Sequence, residues 1–145
     1  MLIQDIILWG YKMQEWVKII IDSLKEHNIS FISYVPDISI DKVTKEIESD
    51  PYFTVVPATR EEECIGIASG SYVSGVNSAI FMQSSGFGNC INALTSLNLP
   101  ARIPIPMFIN LRGEIGEFNI AQAVSYTHLR AHETDSYLVC RLLLE

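Results

Sequence analysis

An α/β fold, a parallel sheet with helices on both faces, is what this sequence predicts. The strand-like runs are apolar almost throughout instead of alternating, as strands buried on both faces are. Each is separated from the next by a segment with helical spacing, which is the pattern of parallel strands joined by crossover helices. In such sheets ligands bind at the carboxyl ends of the strands, and the residues leaving those ends carry the unusual chemistry.

The elements follow in order. Trp16, Val17, Ile19, Ile20, Ile21 and Leu24 recur at helical spacing, with Lys18, Asp22 and Lys25 opposite, and Asn28 stops the run. Residues 31–35 read as a strand ended by Pro36 and Asp37. Ser39 is placed to cap a helix through Val43 and Ile47, and residues 53–57 form the second strand. Residues 61–73 are a helix with Thr59 as its expected cap, and residues 78–83 the third strand. Residues 89–97 are a further helix, and residues 103–111 contain a fourth strand. No internal repeat, linker or low-complexity run interrupts them.

Composition narrows the function classes. The 145 residues carry 17 acidic and 10 basic side chains, a net charge of −7, with no run of lysines or arginines. A phosphate-backbone face needs the opposite balance, so no nucleic acid is expected as partner. Residues 1–12 lack a basic leader and a cleavage pattern, and Asp5 breaks an apolar run too short to span a bilayer, so no membrane segment is expected. Met13 is the expected start, with 1–12 an upstream extension and 13–122 the domain. Cys64 and Cys90 fall in helical patterns without a C-x-x-C pair, which suits packing groups in a reduced, cytoplasmic protein.

The far end reads differently. Reverse-translated, residues 124–133 fit the transposon end and priming site of a sequencing-library adapter. Residues 138–144 fit the far end of the same adapter in the same frame. Residues 124–145 are therefore expected to be adapter read-through, the alternative being an apolar C-terminal helix around Tyr137–Leu142. Setting them aside removes His128, His132 and Cys140, and with them any apparent metal cluster; no metal ligand is expected in this chain.

Two segments carry the chemistry. Glu61, Glu62 and Glu63 open a helix whose later turns hold Gly66, Ala68 and Gly70. Anions suit a helix start. Successive residues point about 100° apart, so one or two of the three serve the helix while another turns inward. The small residues beyond leave room for a backbone or a flat ligand. The second segment, Ser84-Ser85-Gly86-Phe87-Gly88-Asn89, reads as a glycine loop opening a helix, fit to cradle an anion or line a ligand wall. It matches neither the phosphate-binding nor the dinucleotide-binding glycine motif. By itself it is equally consistent with a non-catalytic nucleotide- or anion-binding module.

Taken together, these segments resemble the pyrimidine-binding domain of thiamine-diphosphate enzymes. The carrying residues are Glu62, Ala68 and Tyr72, then Ser85-Gly86-Phe87-Gly88-Asn89-Cys90-Ile91-Asn92. With Tyr34-Val35-Pro36-Asp37, Thr59–Glu63 and Arg112-Gly113-Glu114, the set is most similar to the sulfopyruvate and phosphonopyruvate decarboxylase branch, over nearly all of 13–122. Ile103-Pro104-Ile105-Pro106 and Asn110 depart from it, and the family segment expected after Gln122 is replaced by the adapter-like sequence.

The resemblance implies a 2-keto acid decarboxylase, a carboxy-lyase acting on a 3-substituted pyruvate through thiamine diphosphate. It implies Glu62, picked by its ten-residue spacing to Tyr72, as the carboxyl that hydrogen-bonds N1′ of the cofactor's aminopyrimidine, helped by a dry setting. It implies cofactor contacts at Pro36, Gln83, Ser84, Gly86 and Asn89, and substrate contacts at Asp37 and Arg112, the last as an anion partner. The family's Gly-Asp-Gly diphosphate and Mg²⁺ motif is missing from this sequence. The implied partner is a diphosphate-binding beta subunit carrying the Mg²⁺, in a hetero-oligomer.

Overall fold

The computed structural model describes residues 3–110, with side chains described from Glu15 onward. The elements are α1 (Ile3–Glu26), β1 (Phe31–Tyr34), α2 (Asp41–Ser49), β2 (Thr54–Pro57), α3 (Glu61–Val73), β3 (Ser78–Gln83) and α4 (Ser84–Ala93). A π-helical segment (Leu94–Asn98), the single turn α5 (Leu99–Ala101) and β4 (Met107–Asn110) complete them. Arg112, Gly113, Glu114 and everything to residue 145 lie outside the described residues.

The sheet is fully parallel, in the order β2-β1-β3-β4. Phe31 lies opposite both Thr54 and Ser78, and Ile80 opposite Met107. From β1 the chain winds outward to β2, then returns to β3 and winds the other way to β4. That reversal between the two central strands is the place where open sheets form a crevice.

Side chains alternate along a strand, so a central strand supplies two cores. Ile32, Tyr34, Ala79 and Phe81 pack with Val17 and Leu24 of α1 and Val43 and Ile47 of α2. Ile80 and Met82 pack with Cys64, Ile65 and Ala68 of α3 and Phe87 and Cys90 of α4. Helices therefore cover both faces, and β3 is buried from Ser78 to Met82 without alternation, as the sequence predicts. Ile19 is an exception to the predicted apolar stripe of α1, at 66 % exposed. Asn28 ends α1 in the left-handed region (φ 55°), and Ile29 N–H then bonds Leu24 C=O at 2.8 Å.

Three local expectations are corrected. Ser39 does not cap α2: its N–H and hydroxyl both donate to Asp37, and Ile40 holds the N-cap position without a side-chain bond. Thr59 does not cap α3 either, because Arg60 is the N-cap residue. Glu63 instead reaches back to accept from Thr59 N–H at 2.9 Å, the Thr59 hydroxyl at 2.9 Å and Arg60 N–H at 3.3 Å. Those Thr59 bonds, backbone first, hold the Glu63 carboxyl below the usual carboxylate range. The third correction concerns residues 84–88, which are not a loop. Helix α4 starts at Ser84, directly after β3. Each glycine in a helix costs about 1 kcal/mol relative to alanine, and the burial of Phe87 and Cys90 against the α3 face offsets it.

Candidate active site

The carboxyl edge of the sheet places the residues of interest on two sides. On the α2 side, Pro36 and Asp37 leave β1 and line an open groove of about 540 Å³ with Tyr34, Asp41, Lys45 and Glu48. The Tyr34 phenol donates to Glu48 across it. Asp37 is engaged as the acceptor for Ser39, and the Asn110 amide at the end of β4 donates to the Ser39 hydroxyl. Gln83 ends β3 in extended backbone, and Ser84 is buried at 4 % exposure as the first residue of α4.

On the α3 side, three consecutive glutamates take three different environments. Glu61 is the one that turns inward, 7 % exposed, and accepts from the Asn89 amide at 3.2 Å. Its carboxylate lies over Gly86, where an added Cβ would overlap it. Glu62 points along the outside of α3, its side chain 34 % exposed and paired with Arg60 Nη2 at 3.0 Å. Glu63 is spent on the helix cap. In this chain alone Glu62 does not have the dry surroundings expected for it; the dry carboxyl is Glu61.

The structure thus brings Glu61, Gly86 and Asn89 together. Pro36 and Asp37 sit apart, in the groove on the other side of the sheet edge, and Gly86 is buried beneath a side chain of its own chain. Glu61 was legible in principle: Glu61, Cys64, Ile65 and Ala68 fall on one helical face, and all four are buried. Arg112 lies outside the described residues.

Cys64 and Cys90 are free and fully buried, as packing groups should be. Burial, reinforced by the charge of Glu61, pushes the Cys90 thiol up to about 12, so the thiolate is not accessible near neutrality. Among the described residues no group of three or more His, Cys, Asp or Glu side chains is arranged to hold a metal ion.

What surrounds Glu62 is open. Gly66 and Gly70 follow one and two turns later, and a Cβ added at either would meet nothing within 4 Å.

Comparison with known proteins decides the family. Residues 14–111 match the family model described as thiamine pyrophosphate enzyme, N-terminal TPP binding domain. The chain belongs to that family. It is 45 % identical over 98 residues to sulfopyruvate decarboxylase subunit alpha of Methanocaldococcus jannaschii, covering 68 % of this chain and 58 % of that one. The subunit alpha of Methanothermobacter thermautotrophicus is 42 % identical over 99 residues, covering 68 % and 60 %. Phosphonopyruvate decarboxylase of Streptomyces viridochromogenes is 34 % identical over 89 residues, 61 % of this chain and 22 % of that one. The chain matches about three fifths of the length of the alpha subunits. Membership in the family supports thiamine diphosphate as the ligand of this fold, and Glu62 stands at the helix start that the family resemblance singles out. Among the described residues no helix is long and apolar enough to cross a membrane.

Proposed function

We propose that this chain is the pyrimidine-binding subunit of a thiamine-diphosphate-dependent 2-keto acid decarboxylase acting on sulfopyruvate or phosphonopyruvate. The observation that carries the reading is the family match over residues 14–111, in a chain 45 % identical to a sulfopyruvate decarboxylase alpha subunit and with Glu62 in the first turn of α3.

When bound, thiamine diphosphate supplies the carbanion nucleophile and the electron sink that loss of carbon dioxide requires. In this reading Glu62 would hold the pyrimidine end of the bound cofactor by sharing a proton at N1′. Arg60 keeps the carboxylate oriented until the ring arrives. Docking of a partner over Gly66 and Gly70 would remove water from around Glu62 and supply the dry setting the role calls for. In this reading Pro36, Gln83, Ser84 and Asn89 would contact the cofactor, and Asp37 and Arg112 the substrate. A guanidinium serves a sulfonate or a phosphonate equally well.

The diphosphate and its Mg²⁺ belong, in this reading, to a beta subunit, giving a hetero-oligomer. Buried free thiols at Cys64 and Cys90 support a reducing, cytoplasmic setting. The test is reconstitution of this chain with a diphosphate-binding beta subunit, thiamine diphosphate and Mg²⁺. Keto-acid decarboxylation should appear, and Glu62→Gln should lower it by about 10²–10⁴-fold, the usual contribution of a proton-transfer group. Full activity in that variant refutes the role of Glu62.

A further inference from the structure

The proposed chemistry turns Asp37 toward substrate and leaves unexplained what holds it in place. Asp37 opens a turn after β1, closed by the Ile40 N–H donating to the Asp37 C=O at 3.2 Å. Ile38, inside that turn, is 95 % exposed, so packing does not hold the tip. A long-range hydrogen bond does. The amide of Asn110, the last residue of β4, donates to the Ser39 hydroxyl, joining positions 71 residues apart. The Ser39 hydroxyl and the Ser39 N–H, the latter at 2.9 Å, both donate to Asp37 Oδ1. A hydroxyl has one proton to give, so Ser39 meets Asn110 as an acceptor, which sets the amide with its nitrogen toward Ser39.

The sheet order makes this contact demanding. β3 lies between β1 and β4. Neighbouring strands are about 4.8 Å apart, so β1 and β4 are separated by about 10 Å, farther than an asparagine side chain reaches. The turn therefore leans over the end of β3. Register picks the residue that meets it: Phe108 is level with Phe81 and Tyr34, and Asn110 stands two residues beyond on the same face. Asn110 Oδ1 is buried and has no partner among the described residues. An amide that leaves its oxygen unpaired while its nitrogen bonds Ser39 is placed for that donation.

From this geometry we infer that Asn110 is a positioning residue, which acts through Ser39 to hold the Asp37 carboxylate over the crevice where the sheet reverses. The inference rests on the reading of Asp37 as a substrate contact. A hydroxyl that accepts from an amide becomes a stronger donor, so the two bonds of the chain reinforce each other. Breaking either link leaves Asp37 in a turn closed only by its own residues.

The test is steady-state kinetics of the reconstituted assembly, with hydrogen exchange of the full chain as a second readout. Asn110→Asp keeps the shape and sets a carboxylate oxygen where the donor stood. It should raise KM for the keto acid about tenfold and leave the thiamine diphosphate concentration for half-maximal turnover unchanged, because only the substrate contact is misplaced. Ser39→Ala should do the same, and the two changes together should add little, since both act through one chain of bonds. Ser39→Thr restores the hydroxyl and should bring KM back to within about threefold of wild type. Loss of folded protein would instead lower kcat with KM untouched. Exchange of residues 36–40 should quicken by about tenfold in Asn110→Asp and Ser39→Ala, with the strands exchanging as in wild type.

Wild-type KM in Asn110→Asp overturns the positioning role, and so does a KM in Ser39→Thr as high as that in Ser39→Ala. If Asn110→Asp does not fold, Ser39→Ala decides by the same two readouts. Unchanged exchange at 36–40 in a folded variant rejects the tie whatever the kinetics. Wild-type turnover in Asp37→Ala removes the substrate reading of Asp37 and this inference with it. Quickened exchange in the variants, in an assembly whose wild type shows no thiamine-diphosphate-dependent turnover, upholds the tie and removes the decarboxylase reading alone.

Discussion

Tyr34 shows how much one side chain at the sheet edge is asked to do. Its ring is buried in the core beneath α2 while its hydroxyl reaches Glu48 in the groove. Burial, then the hydrogen bond to Glu48 and its negative charge, push the phenol up to about 12, above its ordinary value near 10. A folded-state pKa above the unfolded one stabilises the fold fully below about pH 10 and loses that stabilisation as pH climbs through about 12. Tyr34→Phe should therefore cost about 1 kcal/mol near neutral pH, the net worth of one hydrogen bond. Denaturant titrations at rising pH should show the gap between wild type and variant closing above about pH 10; a gap that stays constant to pH 12 would contradict the linkage. Glu61, Glu62 and Glu63 carry the complementary lesson. Residue type cannot distinguish three identical neighbours, and a tyrosine ten positions on selects Glu62 only through family resemblance. Which one turns inward is set by helix phase against the core, and the buried series Glu61, Cys64, Ile65 and Ala68 shows that phase once α3 has a face to bury.

At the level of elements, burial decided what local propensity did not. The strands and the bounds of α3 were legible because β3 is apolar on both faces and α3 has charge at its start and Ser74-Gly75 at its end. The start of α4 was not, since two glycines and two serines in five residues read as a loop, yet Phe87 and Cys90 hold them helical against α3. The caps were not legible either: Ser39 donates to Asp37 instead of capping α2, and Glu63 reaches back to accept from Thr59 and Arg60. Phe81 shows how strongly the sheet depends on packing. It is 1 % exposed and its ring stacks on Phe108 with centroids 4.5 Å apart. Phe81→Ala should cost about 3–5 kcal/mol, measured by denaturant unfolding, as large-to-small changes in a core do. A cost below about 1 kcal/mol would mean that the α1–α2 core does not close over β3. The open face of α3 predicts the reverse sign. Gly70→Ala meets no atom within 4 Å and carries no left-handed backbone, so the isolated chain should gain about 0.5–1 kcal/mol. In the assembly the same methyl should weaken association, measured as a higher beta-subunit concentration for half-maximal turnover; equal association in both would remove α3 from the interface.

For the molecule as a whole, charge argues for a site shared between two chains. The net charge is −7, and the described carboxyl edge holds Asp37, Asp41, Glu48, Glu61, Glu62 and Glu63 against Lys45 and Arg60. Such an edge welcomes a neutral pyrimidine and repels a diphosphate, which needs cations or a metal to neutralise it. Family membership supplies the thiamine-binding fold, and the electrostatics support the proposal that only the pyrimidine end of the cofactor meets this chain. The isolated chain should therefore bind thiamine diphosphate too weakly for calorimetry at micromolar protein, with or without Mg²⁺. Adding the beta subunit should bring saturable binding, because the two halves then contribute the ring contact and the neutralised diphosphate to one ligand, and linked contacts multiply affinity. Thiamine without its diphosphate distinguishes charge from shape, since removing the repelled group should make binding to the isolated chain no weaker than that of the diphosphate. Tight binding of thiamine diphosphate to this chain alone would show a cationic pocket within one polypeptide and would end the argument for a divided active site.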